Sequence, residues 1–303
     1  MSVGLITSVV FIGGGVLWIL VQSVKGRDVD RRWIFLFIGS TVALALLFHI
    51  RFGEKATPIV KAAFNQIENL PEGASVLIAF DYDPAMEPEV GPMADCFIRH
   101  TLARKHKLFL MTLWATGQAL MTNTVEDVLK PEFPEAEYGT DYVNLGYKVG
   151  GFGVINVVLS DFRAMYPTDA HGTLLDSLPM FNKVRSLRDI DLIISIGGGT
   201  PGVKEWVLFA GNRGNIPIVG GTAAVVAPLL YPYYPRQLVG LLGGTKGAAE
   251  YESELTGNYD RFKDMDTPAL RMMGPQTMAH VVVMAFIIIG NIAYFRSRKR
   301  EGK

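Results

Sequence analysis

The chain has 303 residues, 49% of them hydrophobic, and a mean hydropathy of +0.25, which is too apolar for an ordinary soluble protein. Its 29 basic and 29 acidic residues cancel, yet both ends are basic and the middle keeps 18 basic against 25 acidic residues, a balance that argues against nucleic acid as a partner. A single cysteine, Cys96, excludes an intrachain disulfide.

Val3 to Val24 is an almost unbroken apolar run containing Gly13, Gly14 and Gly15, long enough to cross a bilayer and open enough for a second helix to come close. Its positive charges follow it and no small-residue cleavage site ends it, so it reads as an anchor and not as a cleavable signal. The basic loop Lys25 to Arg32 leads to a second apolar run, Trp33 to Ile50. A third, Met278 to Phe295, is closed by the basic cluster Arg296 to Arg300.

Three spans are therefore expected, with residues 1–55 as a transmembrane hairpin, 56–275 as a folded domain and 276–303 as a last span and tail. The positive-inside rule places both basic clusters in the cytoplasm and the folded domain outside the cytoplasmic membrane.

Within the middle section, strand and helix signals alternate. Pro58 to about Asn69 has helical spacing, and Ser75 to Phe80 reads as a strand. Helix Glu89 to Lys105, strand Leu108 to Trp114, helix Gly117 to Leu129, strand Tyr142 to Gly146 and helix Val154 to Met165 follow. A helix over Pro179 to Leu187 precedes the clearest strand-turn-helix unit, Asp191 to Gly202, where Thr200 suits a cap and Pro201 a first helical position. Strands Ile216 to Val219 and Leu238 to Leu242 are each followed by a Gly-Gly-Thr turn and a helix, and Tyr259 to Pro275 reads as a linker. The expected fold is α/β, a Rossmann-like doubly wound and mainly parallel sheet anchored by three transmembrane helices.

Candidate chemistry sits where strands end. The turns Gly197-Gly198-Gly199-Thr200, Gly220-Gly221-Thr222 and Gly243-Gly244-Thr245 each precede an expected helix. Such helix starts collect unpaired N–H groups, and glycine lets a ligand approach, so Gly197, Gly198, Gly199, Thr200, Gly221, Thr222, Gly244 and Thr245 are the expected ligand-binding residues. The same composition also serves tight strand-to-helix turns with threonine caps. No Walker A and no dinucleotide fingerprint is present.

The first domain strand ends in Asp81-Tyr82-Asp83-Pro84. This resembles the first motif of haloacid-dehalogenase-type phosphohydrolases. The resemblance implies Asp81 as nucleophile, Asp83 as general acid/base, and both as magnesium ligands, although Pro84 replaces the usual Gly or Thr and no later strand ends in paired acids. Cys96 and His100 stand four apart on one helix, and His171 is the histidine of an exposed loop, but neither belongs to a complete catalytic pattern.

Two functions follow as expectations. The first is a non-catalytic ligand-binding, partner-binding or scaffolding part of a membrane complex, in contact with the lipid bilayer and with a membrane protein or a second copy of itself. The second is a magnesium-dependent phosphohydrolase or transferase using Asp81 and Asp83.

Overall fold

The computed structural model describes residues 3–25, 29–50 and 52–301; the centre of the predicted basic loop Lys25 to Arg32 lies outside them. The chain divides into two units, residues 54–269 and residues 1–53 with 270–303.

The larger unit is built on six parallel strands: β1 (Ser75–Asp81), β2 (Lys107–Thr112), β3 (Tyr142–Tyr147), β4 (Leu192–Gly197), β5 (Ile218–Thr222) and β6 (Gly240–Gly243). Their order across the sheet is β3-β2-β1-β4-β5-β6. Runs such as Val76-Leu77-Ile78-Ala79-Phe80 are buried throughout because helices cover both faces, as in doubly wound α/β folds. Leu77 and Ala79 join the core formed with helix Phe152–Val158 and the helical segment 203–214, and by the two-residue period of a strand their neighbours turn to the other face.

Three sequence expectations are corrected here. Pro179 to Leu187 is two short 3-10 turns, Pro179–Asn182 and Leu187–Asp189, because Ser186 and Asp189 cap one another and start the second turn afresh. Gly220, Gly221 and Thr222 are part of β5 and do not form a turn. Glycine is required there by close layers: a Cβ on Gly220 would lie 2.8 Å from Leu241 Cδ1 and 2.9 Å from Val203 Cγ1. The predicted linker Tyr259 to Pro275 is also shorter than expected, since a 34-residue helix, Pro268–Glu301, starts before Pro275 and continues through it.

The smaller unit contains helices Val3–Val24 and Arg31–Leu47 and the larger part of helix Pro268–Glu301. Phe37 stacks on Phe11 at 5.2 Å and meets Phe286 at 5.8 Å, while Ile12, Ala45, Ile50 and Met278 form a small apolar cluster. Of the three adjacent glycines, Gly15 faces Phe37, and among the described residues nothing lies within 4 Å of a Cβ built on Gly13 or Gly14.

One helix among the described residues, Pro268–Arg296, is long and apolar enough to cross a membrane, where three were expected. Of helix Val3–Val24, the part Val10–Gln22 is apolar among the residues whose side chains are described, and Arg31–Leu47, at 17 residues, extends ~25 Å against a hydrocarbon core of ~30 Å.

Candidate functional site

The chain winds outward from β1 to β2 and β3, then crosses back to β4. The carboxyl ends of β1 and β4 therefore diverge at the switch point where open α/β sheets form their crevice. Register aligns the predicted residues along this edge: Asp81 is opposite Gly197, and Thr222 is opposite Gly243. A cavity of about 240 Å3 opens beside Gly197, Gly198, Gly199 and Thr200, closed on the other side by Val226, Leu229 and Leu230.

Asp81 lies at the centre and is fully buried. Its Oδ1 accepts from the Leu113 amide at 2.7 Å and its Oδ2 from Trp206 Nε1 at 2.6 Å. Burial pushes its pKa up to about 7 against the pull of these two donors, and the nearby Glu205 charge adds to the rise. Asp81 thus ties the end of β2 and the helix after β4 to the tip of β1. Its oxygens are spent on structure, and no solvent reaches them.

Asp83 lies just beyond, where its Oδ1 accepts from the amides of Ala85 and Met86 at 3.0 and 3.2 Å, the geometry of an Asx turn leading into helix Glu87–Ala103. Among the described residues no group of three His, Cys, Asp or Glu side chains is placed to hold a metal ion.

The glycine turn after β4 is filled from within. Trp114 lies over Gly199, so closely that a Cβ there would come within 2.4 Å of the indole, and its Nε1 donates to the Pro201 carbonyl at 2.8 Å. The helix starts at Val203 with Gly202 as its cap, not at Pro201 with Thr200 as expected. The reason is Glu205, whose Oε2 accepts from the Gly202 amide at 2.9 Å and supplies from inside the helix the acceptor that Thr200 was expected to provide.

A second carboxylate plays the same part between β5 and β6. Glu89 Oε1 accepts from the Ala224 amide at 2.7 Å, and a Cβ on Gly244 would lie 2.7 Å from the same oxygen. Gly244 has φ +64°, a conformation suited to glycine, and Gly243, not Thr245, caps helix Gly244–Asn258. Two of the three expected anion cradles therefore already contain a carboxylate of the chain, which opposes a second negative charge.

Buried Thr222 turns its hydroxyl toward the Gly198 turn, 3.7 Å from where a Cβ would stand, and that oxygen has no hydrogen-bond partner among the described residues. The edge therefore brings Asp81, Gly197, Gly198 and Thr222 together, with Gly244 and Thr245 farther out beside Glu89.

The remaining candidates lie elsewhere. Cys96 is buried, and His100 is held between Tyr251 at 2.7 Å and Glu68 at 2.9 Å, with burial lowering its pKa to about 4, so the two side chains form no pair. Sequence reasoning missed Trp114, Trp206 and Glu205, and Glu89, which with Glu87 reads as a possible ligand for a hard cation, accepts from the Ala224 amide instead. The available signal was two tryptophans following strand ends in an α/β pattern, since a buried indole N–H needs an acceptor.

Comparison with models of known protein families, with curated proteins and with solved structures finds no match for this chain.

Proposed function

We propose that this chain is a membrane-anchored α/β module that binds a partner polypeptide at the carboxyl edge of its sheet, as a non-catalytic scaffolding component of a membrane complex. The observation that carries the reading is the apolar rim of the cavity. Val225 is 84% exposed, Leu229 71%, Val149 75% and Phe152 49%. Leu229 lines the cavity and Val225 adjoins Val226, which also lines it, while Val149 and Phe152 lie on the segment after β3, where a Cβ on Gly151 would stand 3.9 Å from Pro201 and Phe152 stacks on Phe209 at 5.0 Å. Large apolar side chains grouped around a concavity are the usual core of a protein interface.

Phosphoryl transfer from Asp81 is less well supported, because its two oxygens are committed and buried and the turns around it hold Glu205 and Glu89. Anchoring by three spans, with the α/β unit outside the cytoplasmic membrane, is supported by the apolar runs Val3 to Val24, Trp33 to Ile50 and Met278 to Phe295 of the sequence and by the basic clusters Lys25 to Arg32 and Arg296 to Arg300, while the helix Pro268–Arg296 alone among the described residues has the full length.

The test is assembly size. Detergent-extracted wild-type protein is expected to migrate with a partner or as a multimer, and the Val225→Asp, Leu229→Asp double variant to migrate as a folded monomer. A wild-type monomer with nothing bound to it overturns the proposal, as does a double variant that still assembles. Release of phosphate from a generic ester in magnesium, lost in Asp81→Asn, would establish the enzyme instead.

A further inference from the structure

A second cavity, of about 530 Å3, lies at the other end of the sheet, against the edge strand β3. Gln118, Thr122, Tyr138, Tyr142, Asn144 and His171 line it. None of them belongs to the carboxyl-edge site.

Its walls are held in place by one buried acid. Asp169 Oδ1 accepts from the backbone amides of His171 at 2.9 Å and Thr173 at 2.8 Å, and its Oδ2 accepts from the Tyr138 hydroxyl at 2.7 Å. The Ala170 amide donates to the Asn144 carbonyl at 2.9 Å, which fixes the loop to β3. Tyr138 packs edge to face with His171 at 4.9 Å and with Tyr142 at 5.2 Å. A ligand entering here orders little of the protein, which lowers the entropic cost of binding.

Apart from the exposed Lys130–Glu126 ion pair, the polar groups that line the cavity are neutral. Asn144 is only 7% exposed; its Oδ1 accepts from the Gly146 amide at 2.9 Å, which leaves Nδ2 as a donor without a partner among the described residues. Gln118 uses Nε2 toward Thr122 at 3.4 Å and keeps Oε1 as a free acceptor. Among the described residues, neither the Tyr142 hydroxyl nor the His171 ring has a hydrogen-bond partner. The one basic amine lining the cavity, Lys130, is paired with Glu126 at 2.6 Å, so no uncompensated lysine or arginine awaits a phosphate or carboxylate.

We propose that this cavity binds a neutral, hydroxyl-rich ring compound of monosaccharide to disaccharide size. Separate donors and acceptors on a rigid wall suit a molecule carrying several hydroxyls, each of which donates and accepts. The tyrosine and histidine rings suit its apolar C–H faces, and the volume falls within the range of small-molecule sites.

The experiment is saturation-transfer NMR on the full chain in phosphatidylcholine nanodiscs, which avoids sugar-headed detergents. The probes are glucose, N-acetylglucosamine, myo-inositol and maltose, with glucose 6-phosphate as the charged comparison. Transfer to at least one neutral probe is expected, with weaker transfer to the phosphate ester. Gln118→Ala should weaken binding about tenfold, the loss of one hydrogen bond. His171→Ala, at an exposed position, should weaken it without unfolding the chain, whereas Asn144→Ala also removes a support of β3. No transfer to any neutral probe overturns the proposal, as does a preference for glucose 6-phosphate or binding unchanged in both Gln118→Ala and His171→Ala. Failure of partner assembly at the carboxyl edge would leave this result untouched.

Discussion

Asp81 shows how a residue that reads as chemistry in a linear motif becomes a structural tie. An aspartate at a strand end in Asp-x-Asp has the pattern of a nucleophile, but two N–H donors from distant segments hold both of its oxygens. The folded carboxyl keeps its proton up to about pH 7, whereas the ordinary value is 3.8. Within that window the unfolded chain binds fewer protons than the folded one, so stability falls as pH rises. The loss is on the order of 4 kcal/mol at full effect. Asp81→Asn should cost ~1–3 kcal/mol, because its amide sets a donor against a donor, and should flatten the pH dependence. Urea denaturation of the full chain, followed by tryptophan fluorescence across pH 4–7, measures both effects. Equal pH slopes in the two proteins would contradict the assignment.

At the scale of elements, glycine decides how closely the layers pack. A Cβ on Gly240 in β6 would lie 2.4 Å from the Ala63 amide nitrogen in helix Pro58–Glu68, and backbone cannot swing aside as a side chain can. Gly240→Ala should therefore push that helix off the sheet and cost ~2–3 kcal/mol. Gly257, near the end of helix Gly244–Asn258, has nothing within 4 Å of a Cβ position, so Gly257→Ala should be neutral or slightly stabilising. Matched melting curves of the two variants check this, and an equal loss in both would remove steric contact as the explanation. Two π-helical stretches among the described residues, Val125–Leu129 and Trp206–Gly211, belong to the same scale. The second opens on Trp206, and no period in the sequence announced it.

For the whole molecule, both ends of the α/β unit are tied to helix Gly244–Asn258. On the entering side, Lys246 pairs with Glu54 at 2.8 Å, and Glu250 accepts from the Thr57 amide at 2.8 Å. On the leaving side, Glu252 accepts from the Ala269 amide at 3.0 Å. The unit thus closes on itself where the apolar segments begin and end, as expected of a domain that folds around its own core. For the three-span arrangement, a reporter fused after Lys303 should behave as cytoplasmic and one inserted between Pro131 and Asp141 as external. The reverse pattern would overturn that topology.

The sequence by itself determined the alternation of strands and helices, because burial on both faces demands continuous apolar runs that stand out locally, as Leu192 to Ile196 does. It also determined the parallel arrangement, since a helix between successive strands leaves a chain little choice of direction. Asp81 and the three glycine-threonine stretches could be placed on one sheet edge by the same reasoning. Only the tertiary structure decided what those residues touch. Glu205 and Glu89 fill turns that sequence reasoning left open to an anion, Trp114 and Trp206 reach across strands to the switch point, and Gly220 and Gly221 serve layer packing within β5. These contacts join residues as far as 135 positions apart, as in Glu89 with Ala224, and no local pattern records such a distance. The cavity beside β3 has the same origin, because Gln118, Asn144 and His171 meet only once the sheet has formed.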